Sequence, residues 1–312
     1  MEKKLYNNFG SFLKNKFHKR VYKISVDCGF TCPNRDGYKS TGGCIYCDNE
    51  SFKPLTTRQN VGLKDQIEKG INHLKKNYKA EKFIVFFQPY SNTYGESEKL
   101  ITIYKNALKY DDIVGISIST RPDCIKDEIL DFLDDISKQY YVWVEYGVQS
   151  IHDKTLEFIN RGHKFKDFLD TYERTRKRKG INICTHIIHG LPNETKEMML
   201  ETIKVLSNLK IDGIKFHQLY VVSGTKLQKM YLRGEIKLFE LDEYLEILAG
   251  SLELLPSDVL IHRLFGISQQ ENIIAPKWNV KKTDFIKLID EYLIKHNSYQ
   301  GKFCKNNKSY IS

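Results

Sequence analysis

Two rhythms of apolar and polar residues alternate along most of the chain. Runs rich in β-branched and aromatic residues at 22–27, 83–88, 113–119, 141–149, 181–188 and 213–222 predict six strands. Between them, apolar residues recur at spacings of three and four. Ile67, Ile71, Leu74 and Tyr78 form one such stripe, Leu100, Ile103, Tyr104, Ala107 and Leu108 a second, and Ile129, Leu133 and Ile136 a third. Each predicts a helix, and further helices are predicted at 153–160, 166–179 and 195–209. Six β-then-α units in succession predict an α/β fold, a partial (β/α)6 TIM-type barrel of parallel strands with helices on its outer face. The basic, aromatic residues 1–20 read as an N-terminal arm and 21–222 as the barrel core. Residues 223–312 read as a C-terminal α/β extension packed on the barrel, with helices at 241–254 and 284–296 and a short strand at 259–263.

Strands of such a barrel are buried on both faces, so polar side chains on them need a reason. With a period of two, Trp143, Glu145, Gly147 and Gln149 share one face of the fourth strand, opposite Val142, Val144, Tyr146 and Val148. His186 on the fifth strand and Lys215 and His217 on the sixth take equivalent positions. The second strand ends in Gln88, and the third in Ser117, Ser119 and then Arg121. One buried His or Gln is more often a satisfied core residue than a ligand. The same drift on five strands, toward their C-terminal ends, marks the lining of a site.

The loop after the first strand changes the picture most. Four of the 7 cysteines fall between Cys28 and Cys47 in the pattern C-x3-C-x11-C-x2-C, with Gly29, Pro33, Gly37, Gly42 and Gly43 among them. Such a loop has no regular structure to form and wraps something instead, and clustered thiolates select a soft metal or an iron–sulfur cluster. The chain has 312 residues, 41% hydrophobic and 28% charged, as in a soluble protein with a full core. Its net charge of +10 suits a polyanionic partner such as RNA, and equally a lysine-rich surface without special purpose. No apolar run is long enough to span a membrane and no apolar leader segment is seen. A cytoplasmic setting follows, in which clustered cysteines hold metal rather than disulfides.

Cys44-Ile45-Tyr46-Cys47 resembles the C-x-aromatic-C ending of radical S-adenosylmethionine (SAM) enzymes, and the wide gap from Cys32 to Cys44 resembles their elongator-like branch. Phe30 to Gly37, Gly42-Gly43-Cys44, Phe87 to Tyr94, Ser119 to Asp123, Glu145 to Ser150, Asn160 to His163, His189 to Thr195, Ala275 to Trp278 and Tyr299 to Lys302 are similar to the YhcC/YtqA-type radical SAM proteins of bacteria. The resemblance implies a [4Fe–4S] cluster on Cys32, Cys44 and Cys47. One iron stays open for SAM, which is cleaved to a 5′-deoxyadenosyl radical that abstracts hydrogen from substrate. Cys28 is then left as a small buried thiol. The implied SAM contacts are Tyr46 and Ile188 with Gly190 for adenine, Gln149 for ribose, Gln88 in place of the usual Gly-Gly-Glu turn, and Ser119 with Arg121, whose guanidinium suits the carboxylate. Glu145, His186, Lys215 and His217 remain for substrate, as carboxylate holders or acid–base groups.

The resemblance further implies a tRNA substrate and conversion of the wobble side chain of carboxymethylaminomethyl-uridine to aminomethyl-uridine. A flavodoxin or ferredoxin is the implied reductant. Two alternatives stand beside it. The same chemistry acts on a small metabolite or a protein, or the four cysteines hold zinc in a non-catalytic binding protein.

Overall fold

The computed structural model describes residues 5–48, 61–266 and 272–304. Its strands are β1 (Val21–Val26), β2 (Lys82–Phe87), β3 (Ile113–Thr120), β4 (Tyr141–Gln149), β5 (Ile181–His189), β6 (Gly213–Gln218), β7 (Val221–Val222), β8 (Leu260–Arg263) and β9 (Ile273–Ala275). Seven of them form one sheet in the order β1-β2-β3-β4-β5-β6-β8, every pairing parallel. The sheet curls into a half-barrel. Its two edge strands approach until Lys23 Nζ on β1 lies 3.5 Å from His262 Nδ1 on β8.

All six expected strands occur, with two differences. The run 213–222 is two strands, β6 and β7, and β7 leaves the barrel to pair antiparallel with β9. The short strand assigned to the extension is instead β8, hydrogen-bonded to β6 as the barrel's seventh strand. Four residues separated from β6 by two helices carry no periodicity that would attach them to the sheet.

Helices α1 (Phe9–Phe17), α2 (Leu63–Tyr78), α3 (Ser97–Ala107), α4 (Asp127–Ile136), α5 (Asp153–Phe158), α6 (Phe165–Arg176), α7 (Lys196–Asn208), α8 (Lys226–Leu232), α9 (Leu241–Leu254) and α10 (Lys282–Lys295) complete the chain. The outward residues Val142, Val144, Tyr146 and Val148 join Ile129, Leu133, Phe168, Ile203 and Leu206 of the helices in one continuous core. Side-chain caps set several helix starts: Asn8 accepts from Ser11 N, Thr195 from Met198 N, and Thr225 from Gln228 N.

The arm is part of the fold. Ile261 N donates to Asn7 O, and α1 lays Phe9 across the lower end of the barrel. The Phe9 ring stacks on His262 at 3.7 Å and meets Trp143 edge-on at 5.4 Å. Truncating a buried ring of this kind costs about 3–5 kcal/mol. With Ile84, Cys184 and Leu260, these residues plug the floor. The upper end carries a separate apolar cluster of Ile45, Leu156, Ile159, Ile188, Leu191 and Leu227, which seats the cysteine loop. No helix among the described residues is long and apolar enough to cross a membrane.

Candidate active site

The cysteine loop is closed on itself and stitched to the turn after α5 and to the segment just beyond β3. Gly43 N donates to Asn34 O at 2.8 Å, and Ile45 N to Ile159 O at 3.0 Å. Asn160 Nδ2 donates to Gly43 O at 2.8 Å, and Asn34 Nδ2 returns a bond to Asn160 O. Lys39 pairs with Asp123, just beyond β3. Gly162 has positive φ, and a Cβ there would sit 2.3 Å from Asn34 Oδ1, so only glycine lets the 160–163 turn close on the loop.

Three of the four loop thiols form one neighbourhood. Burial and the adjacent Cys44 push the Cys47 thiol up to about 11 while Arg35 pulls it down, and Cys32 is close enough to add to the rise. Cys28 lies apart, packed on the core beside Asp27, and burial with that carboxylate raises its thiol to about 12. Among the described residues, the three sulfurs do not gather within 4.8 Å of one another. A tetrahedral zinc site with bonds near 2.3 Å sets its sulfurs about 3.8 Å apart, closer than these three all stand.

The donors around the thiols also fit an anionic cluster. Arg161, 7% exposed, points Nη1 at Cys44 Sγ at 3.8 Å and Nη2 at Gly147 O at 2.6 Å. Its Nε is buried with no partner, an unspent donor beside the thiols. Asn34 Nδ2 is also 3.8 Å from Cys44 Sγ, and Arg35 Nη1 donates to Cys47 O at 3.1 Å. The residues present therefore fit a [4Fe–4S] cluster on Cys32, Cys44 and Cys47, with Arg161 and Arg35 offsetting its charge.

Below this layer the strands converge on one carboxylate. Glu145 on β4 is 0% exposed. Its Oε1 accepts from Lys23 Nζ on β1 at 2.5 Å and from Ser117 Oγ on β3. Its Oε2 accepts from His186 Nε2 on β5 at 2.7 Å and from Lys215 Nζ on β6. Burial opposes ionisation, but Lys215 and Lys23 outweigh it and hold the carboxyl well below its usual range. Burial and Lys215 lower His186 to about 4, leaving it neutral, and burial lowers Lys215 to about 8. The Cys184 sulfur is within 4.8 Å of the Glu145 and His186 donors, but two ammonium groups already occupy the carboxylate and oppose a cation there. Both ammoniums also lie over the Phe86 ring, at 4.9 Å and 4.1 Å.

Glu145, His186 and Lys215 thus belong to one network. His217 adjoins it with its ring 5.6 Å from that of His186. Glu145 has four donors on its two oxygens and no free proton to give, so its role in this geometry is to orient its neighbours. Lys23, which the sequence reading passed over, is equally part of the network. A lysine near a strand start reads as solvent-facing until the sheet is curled.

The expected SAM contacts spread along the rim. Gln88 Nε2 donates to Ser25 Oγ at 3.0 Å, and Ser119 O accepts from both Asn92 N and Nδ2. Gln149 takes positive φ at an irregularity in the β4–β5 register. A Cβ on Gly147 would lie 2.7 Å from both its Nε2 and Arg161 Nη2, so glycine makes room for both groups. Ile188 packs with Ile45 and Tyr46 under the loop, and Gly190 turns the chain out of β5.

Arg121 lies beside the cysteine loop with its guanidinium already partnered. Its Nε and Nη2 each meet Asp123 at 2.9 Å, and Nη1 meets Arg161 O at 2.7 Å. The fork expected to hold a SAM carboxylate is taken up by the carboxylate two residues on, and it braces the turn carrying Arg161.

The radical SAM superfamily model matches residues 32–206, more than half of the chain, and the radical SAM C-terminal domain model matches residues 211–295. The chain is 37% identical to the Bacillus subtilis protein YtqA over 300 residues, covering 96% of this chain and 93% of that one. It is 32% identical over 196 residues to a Methanocaldococcus jannaschii tRNA uridine(34) acetyltransferase, covering 62% of this chain and 34% of the relative. The structure of Elp3 from Methanocaldococcus infernus superposes with a TM-score of 0.65 at 22% identity, over 90% of this chain and 64% of that one. The extra β8, the three-thiol loop and these matches agree: the chain belongs to the radical SAM superfamily, beside the YtqA-type proteins of its elongator-like branch, and is an enzyme that uses a [4Fe–4S] cluster and SAM.

Proposed function

We propose that the enzyme modifies the side chain of a wobble uridine in tRNA, converting carboxymethylaminomethyl-uridine to aminomethyl-uridine. The observation that carries this reading is the likeness to a tRNA uridine(34) enzyme across 62% of the chain. The net charge of +10 supports it as well. When bound, the cluster and SAM supply a carbon radical able to take hydrogen from an unactivated C–H bond. The balance is complete without a further oxidant. The glycine-like carboxymethylamino group loses hydrogen from carbon and nitrogen, water adds across the resulting C=N bond, and aminomethyl-uridine and glyoxylate leave. The two electrons reduce SAM to methionine and 5′-deoxyadenosine. A flavodoxin- or ferredoxin-like carrier primes the cluster.

In this reading the chain's own residues have separate tasks. Cys32, Cys44 and Cys47 hold the cluster, with Arg161 and Arg35 beside them. Gln88, Ser119, Gln149, Tyr46, Ile188 and Gly190 line the rim where SAM is bound. Lys215, His186 and Glu145 form a fixed polar floor two residues, about 6.6 Å, below the Gly147 level of β4. The floor orders a polar substrate tip while Phe86 and Trp143 keep water from the lower barrel. The tRNA assignment is tested by binding: affinity for bulk tRNA falls steeply between 50 and 200 mM salt if phosphates are contacted. Salt-independent binding, or none, points to a small metabolite or protein substrate.

A further inference from the structure

Among the described residues, the barrel interior holds more positive charge than it neutralises. Lys23 and Lys215 both spend their charge on Glu145. The Arg263 side chain, at the end of β8, feels the Glu145 charge but has no hydrogen bond or ion pair among the described residues. It faces the same interior because of a bulge. Ile214 pairs with Ile261, but Lys215 pairs with Arg263, so His262 is skipped in the register. His262 points down onto Phe9 and Trp143, while Arg263 takes the inward position beside Lys215. The Arg263 charge acts on His217, His186 and Lys215, as expected of a group in their midst.

A second unspent donor adjoins it. His217 Nε2 is buried with no partner. Burial and Arg263 keep the ring neutral, so it offers one N–H to a ligand without adding charge. Among the described residues, three interior cations stand against one carboxylate, and a guanidinium and an imidazole nitrogen without side-chain partners lie within electrostatic reach of each other, which leaves a place for one anion. A guanidinium fork matches a carboxylate. A backbone phosphate is flanked by nucleotides on both sides and does not reach the lumen, whereas the tip of a base side chain does.

We propose that Arg263 and His217 form a carboxylate-binding subsite inside the barrel, and that the substrate enters with a carboxylate at its leading end. This rests on the reading of the barrel as the place of hydrogen abstraction and deepens it. Holding the carboxylate fixes the adjacent C–H toward the rim. The shared chemistry is a carboxylate, which the substrate brings and SAM also carries, and the test separates the two.

The test uses the full-length, cluster-loaded protein under anaerobic conditions, with saturating SAM and no reductant. N-Methylglycine labelled with carbon-13 at its carboxyl carbon is the probe, and broadening of its resonance reports binding. The expected result is binding that weakens at least tenfold in Arg263→Met, recovers in part in Arg263→Lys, weakens severalfold in His217→Asn, and is not competed by the methyl ester. Equal binding by Arg263→Met, or competition by the ester, overturns the subsite. Binding seen without SAM and abolished by saturating SAM assigns Arg263 to the cofactor and overturns the substrate claim. If Arg263→Met fails to fold, Arg263→Lys and His217→Asn carry the same comparison. A parallel arm uses tRNA bearing carboxymethylaminomethyl-uridine. If the wild type leaves that tRNA unchanged yet binds N-methylglycine through Arg263, the tRNA reading falls and the subsite stands. If wild type and Arg263→Met convert it equally fast, the subsite falls and the tRNA reading stands.

Discussion

Arg161 Nη1 lies 3.8 Å from Cys44 Sγ, although the two residues are 117 apart in the chain. The guanidinium is held there from behind, by Gly147 O on its other nitrogen and by Arg121 on its own carbonyl. A cation fixed against a cluster ligand stabilises the more negative, reduced form of the cluster more than the oxidised form. Replacing Arg161 with Met should therefore make the potential more negative. Losing about 1.4 kcal/mol of that difference corresponds to about 59 mV for one electron. An anaerobic redox titration followed by electron paramagnetic resonance reads the shift. An unchanged midpoint in a cluster-loaded Arg161→Met protein would show that Arg161 only braces the loop.

The separation of Cys28 from the other three thiols makes a second prediction. Cys32→Ala, Cys44→Ala and Cys47→Ala should each lose most of the iron and the brown colour of the cluster after anaerobic reconstitution. Cys28→Ala should load like the wild type. Iron and sulfide analysis on the four proteins checks this. Loss of iron in Cys28→Ala together with retention in one of the other three would redraw the ligand set.

Glu145 is the one carboxylate on which donors from four other strands, two of them lysines, converge. Glu145→Gln leaves the buried Lys215 and the half-buried Lys23 without their counter-charge, and removing one partner of a buried ion pair costs roughly 3–5 kcal/mol. Urea unfolding of the two proteins measures it. The acid side carries a sign of its own. The folded carboxyl is depressed far below its unfolded value of about 4.3, so its contribution is complete above that value and is lost as pH falls. The wild type should lose stability faster than Glu145→Gln on acidification below about pH 4.3. Parallel pH curves would mean that Glu145 is not ionised in the folded protein.

Much of this site was legible in the residues themselves. A parallel barrel buries both faces of each strand, so Glu145, His186, Lys215 and His217 stood out on a period of two, and the glycine-rich loop announced its thiols. What escaped has physical reasons. Arg263 faces inward only because β8 bulges at His262, and a bulge has no periodic signature. Lys23 becomes interior only when β1 curls toward β8. Arg161 sits in a turn, and nothing local shows that it crosses to Cys44. Arg121 is claimed by Asp123 through a two-residue turn contact, which a motif cannot display.

The central claim is that this chain uses reductive SAM cleavage to rework a tRNA wobble side chain. The direct measurement incubates the cluster-loaded, reduced protein with SAM and tRNA carrying carboxymethylaminomethyl-uridine, then quantifies nucleosides and 5′-deoxyadenosine by mass spectrometry. The account predicts aminomethyl-uridine and 5′-deoxyadenosine in comparable amounts, and neither from Cys44→Ala. Abundant 5′-deoxyadenosine with an unaltered nucleoside profile would contradict the tRNA assignment, and no 5′-deoxyadenosine from iron-loaded protein would contradict the chemistry itself.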